Sequence, residues 1–152
     1  MNFVPPSLKE RLHQAMKDAL RAKNQLRLDT IRLILAEVKN AEIEKKGPLQ
    51  EEEIVALLRK GIKRREESMV YFEKGDRQDL LERARQEIEV LREFLPPQLS
   101  EEEIISITRE VLKLYPTGAS FGMIMKEVLS RVQGRAEGQV VSAVIRQEMG
   151  MR

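Results

Sequence analysis

Apolar residues in this chain recur at intervals of three and four, the spacing that gathers them on one face of an α-helix. Ser7-Leu8-Lys9-Glu10 fits a capping box, with Ser7 as N-cap and Glu10 reaching back, and predicts a first helix running to about Lys23. Leu28, Ile31, Leu35 and Val38 mark the buried face of a second helix over about 24–46, which Gly47-Pro48 ends. A third helix is predicted over about 51–74. Glu51, Glu52 and Glu53 sit in its first turn, where carboxylates favour the positive end of the helix dipole. Its stripe is Ile54, Leu57, Leu58, Ile62, Met69 and Phe72. A fourth takes about 78–94, with Leu80, Ala84, Ile88, Leu91 and Leu95 as its inward row. Short turns between these helices imply antiparallel hairpins.

Pro96-Pro97 then interrupts the pattern, because proline has no backbone N–H and pushes the preceding residue towards an extended backbone. This is the expected boundary between an N-terminal helical-hairpin domain of about four helices, 1–95, and a small C-terminal three-helix domain, 96–152. Ser100-Glu101-Glu102-Glu103 is a second capping box, opening a helix to about Tyr115. Pro116-Thr117-Gly118-Ala119 is a turn. Ser120 caps a short helix over 121–133 with Phe121, Ile124, Met125, Val128, Leu129 and Val132 inward. Residues 134–138 form a loop before a last helix over 139–149. No segment alternates with period two over a useful length, so the expected fold is all-α.

Composition narrows the chemistry. The 152 residues include no Cys, no Trp and a single His, His13. That removes disulfides, a thiol nucleophile and Cys-ligated metal, and it disfavours a Ser–His–Asp triad. His13 is expected to be a surface or half-buried helical residue, and the seven Met residues to be core filler. No catalytic residue, metal or cofactor is expected. No apolar run approaches the ~18 residues of a membrane-crossing helix, and residues 1–6 lack the basic-then-apolar order of a secretory signal. The expectation is therefore a cytoplasmic protein with no membrane partner. Residues 1–95 hold 20 basic and 18 acidic side chains, and residues 96–152 hold 7 and 7, so the formal +2 lies in the first part. Such a balance does not by itself announce a polyanionic partner.

Three local patterns could still carry a contact. In the run Arg59-Lys60-Gly61-Ile62-Lys63-Arg64-Arg65, four cations (Arg59, Lys60, Lys63 and Arg64) fall within about 140° of helical arc, opposite the apolar stripe. This is either a phosphate-tracking face or a solvated one, since Glu52, Glu53 and Glu67 share it. Arg65 falls inside the stripe instead and needs a carboxylate, for which Glu87 is the expected partner. In the loop 134–138, two glycines and Arg135 precede a helix N-terminus, where backbone N–H groups could hold a phosphate. On spacing alone a plain helix–helix turn, with Gly134 just past one helix and Gly138 as a flexible entry to the next, is the simpler reading.

Several segments taken in order resemble one family. They are Ser7-Leu8-Lys9 with Met16-Lys17-Asp18-Ala19, Leu28-Asp29-Thr30-Ile31-Arg32 with Lys39-Asn40-Ala41-Glu42-Ile43-Glu44, and Lys63-Arg64-Arg65-Glu66-Glu67-Ser68. Phe94-Leu95-Pro96-Pro97-Gln98-Leu99-Ser100, Gly122-Met123-Ile124-Met125 and Gly134-Arg135-Ala136-Glu137-Gly138-Gln139-Val140-Val141 follow. Over about residues 7–149 the chain resembles the GatB/YqeY family, in particular its free-standing YqeY-like members.

The resemblance implies kinship with the tail of the B subunit of glutamine-dependent aspartyl/glutamyl-tRNA amidotransferase. That tail contacts tRNA, while the kinase and transamidation chemistry resides in other domains, for which 152 residues leave no room. Carbon–nitrogen ligase activity with glutamine as amido donor attaches to the chain by family association, and on its own the chain is not expected to be an enzyme. The implied function is a non-catalytic tRNA-binding accessory module, with tRNA and a protein of the translation or aminoacylation machinery as partners. The implied tRNA-facing set is Lys126, Arg131, Gly134, Arg135 and Gly138, joined by the face Arg59, Lys60, Lys63 and Arg64. The alternative is a protein-interaction adaptor docking through an amphipathic face around the second and third helices. Two departures touch helix starts: Glu137 stands where the family commonly has Asp, so Gly138 is expected at the N-cap, and Gln50 stands where Ser or Thr is frequent.

Overall fold

Serine side chains close three of the helix starts in the computed structural model, which describes residues 4–150. Ser7 Oγ accepts from Glu10 N at 3.1 Å while Glu10 Oε2 accepts from Ser7 N at 3.3 Å. Ser100 and Glu103 repeat the exchange at 3.1 and 3.0 Å, and Ser120 Oγ accepts from Met123 N at 3.3 Å. At Gln50 the Glu53 carboxylate accepts from the Gln50 N–H at 2.9 Å, so that helix starts without a Ser or Thr.

The helices are α1 (Leu8–Arg21), α2 (Gln25–Lys45), α3 (Glu51–Lys74), α4 (Gln78–Arg92), α5 (Glu101–Lys113), α6 (Phe121–Val132) and α7 (Gly138–Glu148). Among the described residues there is no strand, so the fold is all-α. The reading of residues 1–6 falls partly on 1–3, which lie outside the described residues, as do 151 and 152. None of the helices is long and apolar enough to cross a membrane.

The helices gather into two compact units, 1–95 and 96–152. In the first, Leu12, Ile31, Val38, Ile54, Leu58, Ile88 and Leu91 form the core, where α3 packs on α4 and α2 lies against α1, α3 and α4. Carboxylates tie its helix ends together. Both oxygens of Glu51, the first residue of α3, lie 3.2 and 3.3 Å from the N–H of Leu8, one of the donors that α1 cannot satisfy itself. Glu42 accepts from Lys9 Nζ at 2.6 Å and from Leu49 N at 3.1 Å. In the second unit, Ile104, Val111, Ile124, Val128, Val132, Val141 and Ile145 form the core. There Leu99 N donates to Arg135 O at 2.8 Å.

Some inward rows differ from expectation. Leu81 is buried in α4 while Leu80 is only partly covered; they stand three and four residues before Ala84, so spacing alone admits either. Leu129 and Met123 are exposed on the outer side of α6 and do not fill a core. The expected N-cap at Gly138 is also corrected. Glu137 takes that place with an extended backbone (φ −74°, ψ 143°) and no side-chain cap bond, and Gly138 is the first helical residue.

Candidate nucleic-acid interface

The loop between α6 and α7 is built to end a helix. Gln133 and Gly134 both adopt positive φ, 51° and 77°, which reverses the chain within two residues. Arg135 then folds its guanidinium back onto α6: Nε donates to Val132 O at 3.0 Å and Nη2 to Arg131 O at 3.1 Å. A cation there meets carbonyls that α6 leaves unsatisfied at its negative end. The next residue, Ala136, is buried in the core of this unit. Arg131 lies 3.3 Å from Glu127 and 3.6 Å from Glu110, so two carboxylates face its charge. Lys126 is exposed on α6. A Cβ added at Gly138 would meet nothing within 4 Å, so the surface in front of the first turn of α7 is open.

The face of α3 is different. Lys60, Lys63 and Arg64 are exposed, while Arg59 is half-buried, so three of the four cations in the arc stand in solvent. Arg64 Nη1 lies 3.6 Å from Glu37 on α2. Of the carboxylates that share this side, Glu53 is drawn away by Lys45 at 2.5 Å, and that hydrogen bond holds its carboxyl below the usual carboxylate range. Glu52 and Glu67 remain exposed. Tyr71, 73% exposed, and Lys74 continue the same face. Each stands three helical turns past a cation, Tyr71 after Lys60 and Lys74 after Lys63. Charge clustering alone misses these two, and the eleven-residue spacing is the signal in the sequence that finds them.

Arg65 meets its expected partner. Its Nε lies 2.7 Å from Glu87 Oε2, and both side chains are under one-fifth exposed, at 17% and 18%. Arg65 Nη1 also donates to Gly61 O at 3.0 Å, and Glu87 Oε1 accepts from Arg83 Nε at 2.9 Å. A Cβ on Gly61 would come within 3.3 Å of Leu91 Cδ1, so the glycine lets α3 approach α4 at this pair.

The nine sequence-derived residues therefore fall into two sets. Lys126, Arg131, Gly134, Arg135 and Gly138 belong to α6, the loop and the start of α7, in the second unit. Arg59, Lys60, Lys63 and Arg64 belong to α3, in the first. Their side chains serve different ends: Arg135 and Arg131 hold structure, while Lys60, Lys63 and Lys126 point charge at solvent.

A family model described as Yqey-like protein matches residues 9–149. A protein of Pyrenophora tritici-repentis named "Altered inheritance of mitochondria protein 41, mitochondrial" is 32% identical over 146 residues, covering 93% of this chain and 81% of its own length. The protein of the same name from Lachancea thermotolerans is 41% identical over 96 residues, or 61% of this chain and 51% of that protein. That from Kluyveromyces lactis is 36% identical over 104 residues, or 66% and 56%. The chain thus spans about half the length of two of these relatives. Their names place them in mitochondria, which overturns the expectation of a cytoplasmic protein. That expectation rested on missing signals, and missing signals do not choose between the cytoplasm and an organelle. The family match takes in every helix but the first residue of α1, and the chain belongs to the Yqey-like protein family.

Proposed function

We propose that the chain is a non-catalytic, tRNA-binding accessory module. The row Lys60, Lys63 and Arg64 on the solvent side of α3 supports this most directly, with Lys74 and the Tyr71 ring further along the same face. Exposed cations on one helix face meet phosphates, and an exposed aromatic ring offers a surface to an unstacked base. The resemblance to the amidotransferase tail supplies tRNA as the RNA class, and a protein of the translation or aminoacylation machinery as a proposed partner. Lys126 and the open backbone at Gly138 form the second proposed contact, with Gly134, Arg131 and Arg135 holding the loop that presents them. Arg59, half-buried, anchors the α3 row.

Amide transfer belongs to the larger relatives, and no ligase activity or cofactor is proposed for this chain alone. The two units are proposed to be separate domains, helical-hairpin and three-helix, joined at Pro96-Pro97. Limited proteolysis of the full chain is expected to leave two resistant fragments divided there.

Titration of the full-length protein with bulk tRNA at low salt is expected to give saturable binding that weakens as salt rises. Lys60→Glu with Lys63→Glu should abolish most of it. Binding no tighter than that of a control protein of similar net charge refutes the reading. Purified protein given glutamine, ATP and misacylated tRNA is expected to show no turnover. A second reading, a protein-interaction adaptor, is favoured by Leu33 and Ile43, large apolar side chains left in solvent on α2.

A further inference from the structure

The helix α2 is apolar on two sides. Its inner side supplies Leu28, Ile31, Ile34 and Val38 to the core. On its outer side Leu33 is 51% exposed and Ile43 is 66% exposed, and Ala36 and Asn40 between them are exposed too. The positions 33, 36, 40 and 43 keep the 3-4-3 spacing of a heptad seam, and at 1.5 Å per residue the seam is about 15 Å long.

Charges border the seam in a sorted way. Arg32 and Lys39 lie along one edge, Glu37 and Glu44 along the other. Arg32, Lys39 and Glu44 are exposed and have no ion-pair partner among the described residues. Glu37 faces Arg64 at 3.6 Å and keeps a second oxygen for another cation. A helix with one basic and one acidic edge is complementary to a parallel copy of itself. Each basic residue then faces the acidic residue five positions on in the other helix, Arg32 opposite Glu37 and Lys39 opposite Glu44. Turned antiparallel, the same two helices set basic edge against basic edge. Asn40 adds a second selection, because a seam Asn finds its hydrogen-bonding equivalent only in a parallel, in-register pair.

We propose that the outer face of α2 is a self-association surface, on which α2 of a second copy packs in parallel through Leu33, Ala36, Asn40 and Ile43. This gives the adaptor reading a single occupant and does not use the RNA reading. With only four seam positions the dimer is weak and concentration-dependent.

Sedimentation equilibrium of the full chain, from low micromolar to near-millimolar, is expected to show a monomer–dimer equilibrium that Ile43→Ser removes while helix content stays the same. Lys39→Glu alone, or Glu44→Lys alone, should raise the dimer dissociation constant by about tenfold through like-charge repulsion. Mixing these two single variants should restore association, because each then offers the charges the other needs. The chain contains no Cys, so Asn40→Cys is expected to crosslink to itself under mild oxidation, while Ser130→Cys on exposed α6 stays monomeric. A monomer at every concentration overturns the proposal, as does a mixture that associates no better than its parts. An Asn40→Cys variant that crosslinks no more than Ser130→Cys also overturns it. A different protein captured on this face while the chain stays monomeric retains an adaptor and overturns self-association.

Discussion

Arg65 and Glu87 form an interhelical ion pair at 2.7 Å with less than one-fifth of either side chain in solvent. The pair lies inside an apolar stripe, so its loss is asymmetric. Glu87→Ala leaves Arg65 charged, largely desolvated and without its carboxylate, and is expected to cost roughly 1–3 kcal/mol of stability. The double variant Arg65→Met with Glu87→Leu restores an apolar contact and should recover most of that loss. Urea unfolding of the three proteins reads the difference directly.

The glycines of the α6–α7 loop should respond in opposite directions to the same substitution. Gly134→Ala forces a side chain onto a backbone at φ 77° and is expected to destabilise by about 1 kcal/mol. Gly138→Ala adds a methyl group to open space at the first turn of a helix and should stabilise by about 0.4–1 kcal/mol. If Gly138 admits a phosphate to that turn, the stabilised variant also binds tRNA more weakly. Thermal melts and a tRNA titration on the same two proteins separate these effects.

Acid should loosen the first unit through particular carboxylates. The hydrogen bond from Lys9 is the largest influence on Glu42, and that from Lys45 the largest on Glu53; both hold the carboxyl below its ordinary value of 4.5. A carboxylate whose folded value is depressed stabilises the fold above the unfolded value and loses that contribution as pH falls through the folded one. Stability is therefore expected to be flat near neutrality and to decline below about pH 4.5. Glu42→Gln should make the decline shallower in urea midpoints measured across that window.

Phosphate contacts made by α3 should be visible in the salt dependence of tRNA affinity. Lys63→Gln removes one exposed cation without touching the core. It is expected to reduce the slope of log K against log salt by about 0.7–0.9, the change for one phosphate left unneutralised. Arg65→Lys, a change within the stripe, should leave that slope unchanged. Filter binding at several salt concentrations distinguishes the two.

The elements legible in the sequence were those written in local chemistry. Ser7, Ser100 and Ser120 announced helix starts because a cap bond spans three residues, and Pro96-Pro97 announced a break because proline cannot donate. Arg65 was legible because a cation in an apolar stripe demands a partner. What periodicity could not reveal was direction. It placed Arg135 beside a helix N-terminus, whereas the side chain turns to the end of the preceding helix, where carbonyls attract it. It placed Leu129 inward, because a wide apolar arc on α6 does not say how much of it neighbouring helices cover. Tyr71 and Lys74 lie past the end of the basic run, three turns after Lys60 and Lys63, outside the span over which charge clusters locally.

The carboxylate of Glu51 on the N–H of Leu8 joins positions 43 residues apart. In kinetic terms, the first turn of α1 receives this acceptor only after α2 has folded back and brought the start of α3 to it, since closing so long a loop costs chain entropy that local helix formation does not repay. Hydrogen exchange at the Leu8 amide thus reports on the closure of the α1–α2 hairpin rather than on the fraying of one helix.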